Sequence, residues 1–190
     1  LYTIAPVVMV LVFFYFTVQT QNGVLAEASE NGEADHTVKV VGQKWSWTFN
    51  YVEEEATGGE TVFLAGTPAE LPTLVLPVDE SVEVELHSPD VIHSFWVPSF
   101  LFKLDVIPGR TNSFSFTPTR EGTFAGKCAE LCGTYHSRML FNVEVVSQSE
   151  YEAHLAELAE AGNTVEAPIL GGSYVRDQAG LDDESEGHSE

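Results

Sequence analysis

The hydrophobic pattern changes three times along the chain. Residues 1–18 read LYTIAPVVMVLVFFYFTV, and no charged side chain occurs before Glu27. At 1.5 Å per residue this run makes a helix of about 27 Å, close to the ~30 Å hydrocarbon thickness of a bilayer, so it predicts a membrane-spanning helix over residues 1–20. A cleaved signal peptide is the competing reading, and Ala26, Glu27 and Ala28 supply an A-x-A pattern for it. The length of the run and the lack of a preceding basic residue favour the anchor. Lys39 is the first basic side chain, so charge does not orient the span.

An acidic connector over residues 21–36 leads to a segment with a period of two. In VKVVGQKWSWTFNY, Trp45, Trp47, Phe49 and Tyr51 share one face, while Lys44, Ser46, Thr48 and Asn50 share the other. Further runs of this kind, TLVLPV, SVEVELH, VIHSFWV, NSFSFTP, GTFAGKC and RMLFNVEVV, are separated by turns containing Pro, Gly or Asp. They predict a mainly β domain over residues 37–148, an antiparallel sandwich, with residues 53–72 inserted as a hairpin. Ser149 with Glu152 has the form of a capping box, with Tyr151, Leu155 and Leu158 on one helical face and Gly162 as the stop, which predicts a short helix over residues 149–162. Residues 163–190 lack periodicity and read as an acidic tail.

Charge divides the chain in the same way. It carries 29 acidic and 8 basic side chains, a formal net charge of −21. Residues 150–190 hold 11 acids against Arg176 alone, so much of the excess lies outside the β domain. Phosphate backbones repel such a chain, which excludes nucleic acid as a partner. Hydrophobic residues at 44% supply a core and exclude wholesale disorder.

The chemistry is concentrated in GKCAELCGTYHSRMLF. Cys128 and Cys132 are too few and too close together to staple a disulfide fold. With His136 and Met139 they form a C-x3-C-x3-H-x2-M pattern of two thiols, an imidazole and a thioether. A continuous helix would set Cys128 and His136 about 12 Å apart, far beyond metal–ligand bonds of about 2.0–2.3 Å, so the segment must curl as a loop, with Gly133 allowing the turn. Zinc takes thioether poorly, whereas Cys, His and a weak Met together suit copper. A second thiol suggests two metals bridged by sulfur, and that calls for a second imidazole upstream. His93, in SPDVIHSFWVP, is the best candidate, and His87 remains a competitor. His36, His154 and His188 have polar or acidic surroundings and read as non-ligands.

In order and wording, the span, the aromatic strand GQKWSWTFNY, the run DVIHSFWVPSFLFKLDVIPGR and the loop CAELCGTYHSRM resemble subunit II of haem-copper cytochrome c oxidases, over about residues 1–148. The resemblance implies a cupredoxin-like Greek-key β-sandwich with an N-terminal transmembrane helix and a short C-terminal helix and tail. It implies a dinuclear copper centre, CuA, on His93, Cys128, the backbone carbonyl of Glu130, Cys132, His136 and Met139. The Glu130 side chain would serve a magnesium or manganese ion shared with subunit I. Trp45 would accept electrons, and Asp90 would help dock the donor; core packing is the plainer reading for one of Trp45 and Trp47. The implied activity belongs to an oxidoreductase. Electrons from a soluble or membrane-bound cytochrome c would pass through CuA to haem a of subunit I, for oxygen reduction coupled to proton pumping. Subunit I and other oxidase subunits are the implied partners, and the implied location is the cell membrane, with the CuA domain on the extracytoplasmic side. The family has two transmembrane helices, of which this chain shows what looks like the second, and the resemblance covers residues 53–72 and the tail poorly.

Other families share parts of this pattern. Nitrous oxide reductase has a similar CuA loop, without the span or the WSW strand. Sco-type copper-delivery proteins use C-x3-C with a distant His on a thioredoxin-like fold, which leaves Met139 without a role. An adhesive sandwich would leave both thiols, His136 and Met139 unexplained, and the quinol-oxidising relatives of subunit II lack the copper ligands.

Overall fold

The computed structural model describes residues 2–25, 34–67 and 69–171. Ala26 to Ala28, His188 and the tail beyond Gly171 lie outside the described residues, as does half of the connector. The first helix, α1, runs Ile4–Leu25 and takes in the start of the expected connector. It is long and apolar enough to cross a membrane, and no part of the window Ile4–Gly23 is buried against the rest of the chain.

Eleven strands follow among the described residues: β1 (His36–Gln43), β2 (Ser46–Glu54), β3 (Glu60–Ala65), β4 (Thr73–Pro77), β5 (Val82–His87), β6 (His93–Val97), β7 (Phe102–Val106), β8 (Asn112–Phe116), β9 (Gly122–Cys128), β10 (Leu140–Val146) and β11 (Thr164–Val165). A helix, α2 (Gln148–Glu160), lies between β10 and β11. One sheet has the order β11-β3-β2-β1-β5-β8 and the other β4-β10-β9-β6-β7. The sandwich is mixed rather than purely antiparallel. β1 runs parallel to β5 and β10 runs parallel to β4, because the chain crosses between the sheets instead of returning by hairpins alone.

Alternation along the strands builds the core. Trp47, Phe49 and Tyr51 of β2 are fully buried and face Leu74, Leu76, Phe95, Phe141 and Val143 of the second sheet. The Phe141 ring lies 4.8 Å from that of Phe95 and 5.2 Å from that of Trp47. It fits because position 126 is glycine: a Cβ there would come within 2.2 Å of the Phe141 ring. Tyr51 also accepts the Val75 amide on its hydroxyl at 3.0 Å and so ties the two sheets together.

Three expectations change in detail, and the polar face of β2 takes on a definite place. Gln43 pairs directly with Ser46, so Lys44 and Trp45 form the two-residue turn of a β1–β2 hairpin, and Trp45 does not share the strand face of Trp47. Lys-Trp carries no turn signal, and the alternation masks the break. Residues 60–65 of the expected insertion are a sheet strand, β3, paired to both β2 and β11. The second, polar face of β2 is also buried, at Ser46, Thr48 and Asn50. The capping box at the start of α2 is Ser147 with Glu150, not Ser149 with Glu152. β10 ends at Val146, so Ser147 is the first residue free to turn the chain. Its hydroxyl accepts the Glu150 amide, and its own amide donates to the Glu150 carboxylate at 3.1 Å. The buried face of α2 is the one expected, Tyr151, Leu155 and Leu158.

His36 is a structural hub rather than a bystander. It is buried between two carboxylates, with Nδ1 2.9 Å from Glu54 and Nε2 2.5 Å from Glu80, and Tyr151 of α2 donates its hydroxyl to the other Glu54 oxygen at 2.9 Å. Burial disfavours its charged form, but the hydrogen bonds that the ring donates to Glu54 and Glu80 outweigh this and raise His36 from 6.5 to about 8. A raised value in the folded state means stability that is fully present below pH 6.5 and is lost as pH rises through about 8. Thermal midpoints of the detergent-solubilised chain should therefore fall between those pH values, and His36→Gln should flatten the fall. Equal slopes for the two proteins would refute the hub.

Candidate metal centre

The ligand loop is held at both ends. Cys128 closes β9 opposite Phe95 of β6, and its amide donates to the Met139 carbonyl at 3.0 Å. The next amide, that of Ala129, donates to the Ser94 carbonyl at 3.0 Å, so β6 and the loop are stitched together beside His93. A short 3-10 turn over His136–Arg138 returns the chain to β10. This is the curl that the spacing requires. Gly133 has φ +124°, and a Cβ there would stand 3.1 Å from the Trp45 ring, so the position needs glycine on both counts.

Two matching half-sites result. The sulfurs of Cys128 and Cys132 are 3.9 Å apart and buried. Around Cys128 stand His93 Nδ1 at 3.9 Å and the Glu130 carbonyl at 3.3 Å. Around Cys132 stand His136 Nδ1 at 3.5 Å and the Met139 sulfur at 3.7 Å. Each sulfur thus has one imidazole nitrogen and one neutral weak donor. His87 is elsewhere, with Nε2 3.2 Å from Glu85, whereas His93 stands in one buried group with Cys128 and Cys132. His154 packs against Tyr51, and its buried Nε2 has no hydrogen-bond partner among the described residues.

The surroundings tune both thiols. Burial raises Cys128, but contact with His93 and backbone groups prevails and brings it down to about 7. Burial and the neighbouring Cys128 raise Cys132 to about 12. Two thiolates this close repel, so one proton stays on the pair near neutral pH unless cations take its place. His93 is oriented by Asp90, whose Oδ1 lies 2.8 Å from Nε2 and leaves Nδ1 turned toward Cys128. The other Asp90 oxygen accepts the Lys44 amide at 2.8 Å. Burial raises Asp90, but these hydrogen bonds overcome it and hold the carboxyl at about 2. Both Asp90 oxygens are engaged, and 15% of its side chain is exposed.

The two tryptophans occupy different levels. Trp47 is buried beneath the loop and donates to the Met139 carbonyl at 3.4 Å. Trp45 is part-buried at the rim and donates to the Cys132 carbonyl at 3.2 Å. Its ring meets Tyr135 edge to face at 5.0 Å, with Arg138 5.5 Å over the Tyr135 ring. Nothing in the sequence pattern singled out Tyr135, because an aromatic inside a ligand loop carries no spacing signal. The Glu130 side chain is exposed, as is Leu131 beside it.

The sequence profile "Cytochrome C oxidase subunit II, periplasmic domain" matches residues 36–146, from β1 through β10 with the candidate ligand loop. The chain belongs to the cytochrome c oxidase subunit II family. It is 46% identical over 200 residues to a probable cytochrome c oxidase subunit 2 of Streptomyces avermitilis, covering 88% of this chain and 62% of that one. The chain thus spans less than two thirds of the length of that relative. Among solved structures, the periplasmic domain of subunit II of cytochrome oxidase (CoxB) of Bradyrhizobium japonicum aligns with TM-score 0.58 and 31% identity, over 68% of this chain and 96% of that one. A mixed disulfide intermediate between a thioredoxin-like TlpA and a CoxB periplasmic domain aligns with TM-score 0.56 and 30% identity, over 68% of this chain and 95% of that one. These likenesses make the fold a cupredoxin-like sandwich and leave no place for the thioredoxin-like architecture of a Sco-type protein.

Proposed function

We propose that this chain is the electron-accepting subunit of a cytochrome c oxidase. It would take electrons from a soluble or membrane-bound cytochrome c at a dinuclear CuA centre and pass them to haem a of subunit I, where oxygen reduction is coupled to proton pumping. The observation that carries this reading is the pair of matching half-sites about two sulfurs 3.9 Å apart. A single zinc would use one closed tetrahedral set and leave the thioether idle, whereas a pair of soft ions would give all six donors a role. His93, Cys128, the Glu130 carbonyl, Cys132, His136 and Met139 would hold copper. Bound there, copper supplies one-electron transfer with the charge spread over two ions.

The chain's own residues do the rest. Asp90 fixes which nitrogen of His93 faces the sulfurs, Trp47 braces Met139 from below, and the burial of both thiols keeps water off them. Trp45 offers a route inward from the rim through its hydrogen bond to Cys132. Both thiols must be reduced to bind metal, and the mixed disulfide named for CoxB fits a thiol pair that needs a reductant. In this reading α1 anchors the domain to the cell membrane with the copper site on the extracytoplasmic side, against subunit I and other oxidase subunits. Mixing the copper-loaded full chain in detergent with reduced cytochrome c should transfer one electron per chain. No transfer would refute the function.

Glu130 is assigned two tasks, its carbonyl to copper and its exposed carboxylate to a magnesium or manganese ion shared with subunit I. Hard cations prefer carboxylate oxygen. In the assembled oxidase, Glu130→Gln should lose manganese, read by metal analysis, while keeping copper and its visible absorption. Loss of copper with manganese retained would contradict the division.

A further inference from the structure

We infer that residues 163–171, which follow α2 and lie outside the segment matched by the family profile, are a strap that positions the turn before His93 from the outside. Three attachments define it. The Asn163 carbonyl accepts the Phe63 amide at 3.0 Å, and β11 then pairs with β3 through Thr164 and Val165. Further on, the Ile169 amide donates to Asn50 Oδ1 at 2.8 Å, and Asn50 Nδ2 donates back to the Ile169 carbonyl at 3.1 Å. Asn50 also donates to the Lys39 carbonyl at 3.1 Å, so its fully buried amide joins the strap to two strands. The third attachment is Gly171. It lies so close to Pro89 that a Cβ would stand 2.5 Å from the proline ring and 3.3 Å from the Gln43 amide oxygen, and its φ is +125°.

This last contact falls at a sensitive point. Pro89 immediately precedes Asp90, whose two oxygens hold His93 Nε2 and the Lys44 amide. Ser88 ties the same turn to the Val91 carbonyl at 2.5 Å. Asp90 therefore connects the turn carrying Trp45 to a metal ligand, and the strap presses on the neighbouring residue from the solvent side. Residues 163–171 also account for the buried, polar second face of β2 at Asn50, which the alternation alone assigns to solvent. An exposed turn held only by side-chain caps would open locally at low cost, and a chain segment laid across it raises that cost. Gly171, Ile169 and Asn50 are accordingly positioning residues for His93.

The test compares the full chain in detergent with Gly171→Val and with a chain ended after Asn163. Hydrogen exchange should quicken about tenfold, equivalent to about 1.4 kcal/mol, at the Lys44 and Val91 amides that donate to Asp90, with β10 amides unchanged. Copper loaded beforehand should be released to a chelator about tenfold faster, and its electron-spin hyperfine pattern should shift. Unchanged exchange at Lys44 and Val91 in both variants overturns the inference, and so does equal quickening throughout the sandwich, which marks general destabilisation. The copper readout rests on the proposed function and the exchange readout does not. A chain that binds no copper would defeat the function while leaving the strap decided by exchange.

Discussion

Replacing Cys132 by Ser is expected to remove the dinuclear centre entirely. Cys132 is the sulfur about which His136 Nδ1 and the Met139 thioether gather, at 3.5 and 3.7 Å, so its loss empties one half-site of its anion. A serine hydroxyl does not ionise near neutral pH, and its oxygen is a hard donor among soft ones. Copper should fall from about two ions per chain to at most one, with the visible thiolate absorption lost or converted to that of a single-copper site. The Cys132 carbonyl survives the change, so Trp45 keeps its hydrogen bond and the fold should melt within a few degrees of the parent. A Cys132→Ser chain that still binds two coppers and stays purple would show that the sulfurs do not bridge.

Changing Trp45 to Phe is expected to slow reduction of the copper-loaded chain by cytochrome c at least tenfold, equivalent to about 1.4 kcal/mol of barrier, while leaving copper content and absorption in place. Trp45 sits at the rim in a turn, not in the core, and its indole N–H donates to the carbonyl of Cys132. Phenylalanine keeps an aromatic face for Tyr135 and removes that link. Trp47→Phe is the contrasting case. Trp47 is fully buried and braces Met139, so it should cost stability and copper affinity together. Stopped-flow reduction separates the two, and an unchanged rate in Trp45→Phe with copper intact would remove Trp45 from the route.

Much of this site is legible in the residues. The C-x3-C-x3-H-x2-M spacing cannot serve one metal centre as a helix, and that alone requires the curled loop seen between Cys128 and Met139. His93 follows from the need for a second imidazole, although only the structure separates it from His87. The hairpin turn at Lys44 and Trp45 is not legible, because the two-residue alternation continues through it and no Gly, Asn or Pro marks it. Nor is the burial of Asn50, since a polar strand position reads as solvated until a later segment, here Ile169, is found bonded to it. Asp90 shows a similar limit. An acid near a metal histidine in sequence reads as surface charge, and only coordinates reveal that both its oxygens turn inward. The shift of the capping box by two residues has a local cause: Ser147 and Ser149 both fit the pattern, and the end of β10 selects between them.

Metal content and electron-spin resonance of the purified, copper-reconstituted full chain test the central claim most directly. Two matching half-sites about Cys128 and Cys132 predict about two coppers per chain and, after one-electron oxidation, a mixed-valence signal with one unpaired electron shared by two equivalent nuclei, in a purple protein. A single bound zinc without visible absorption, or a signal from one isolated copper, would contradict it.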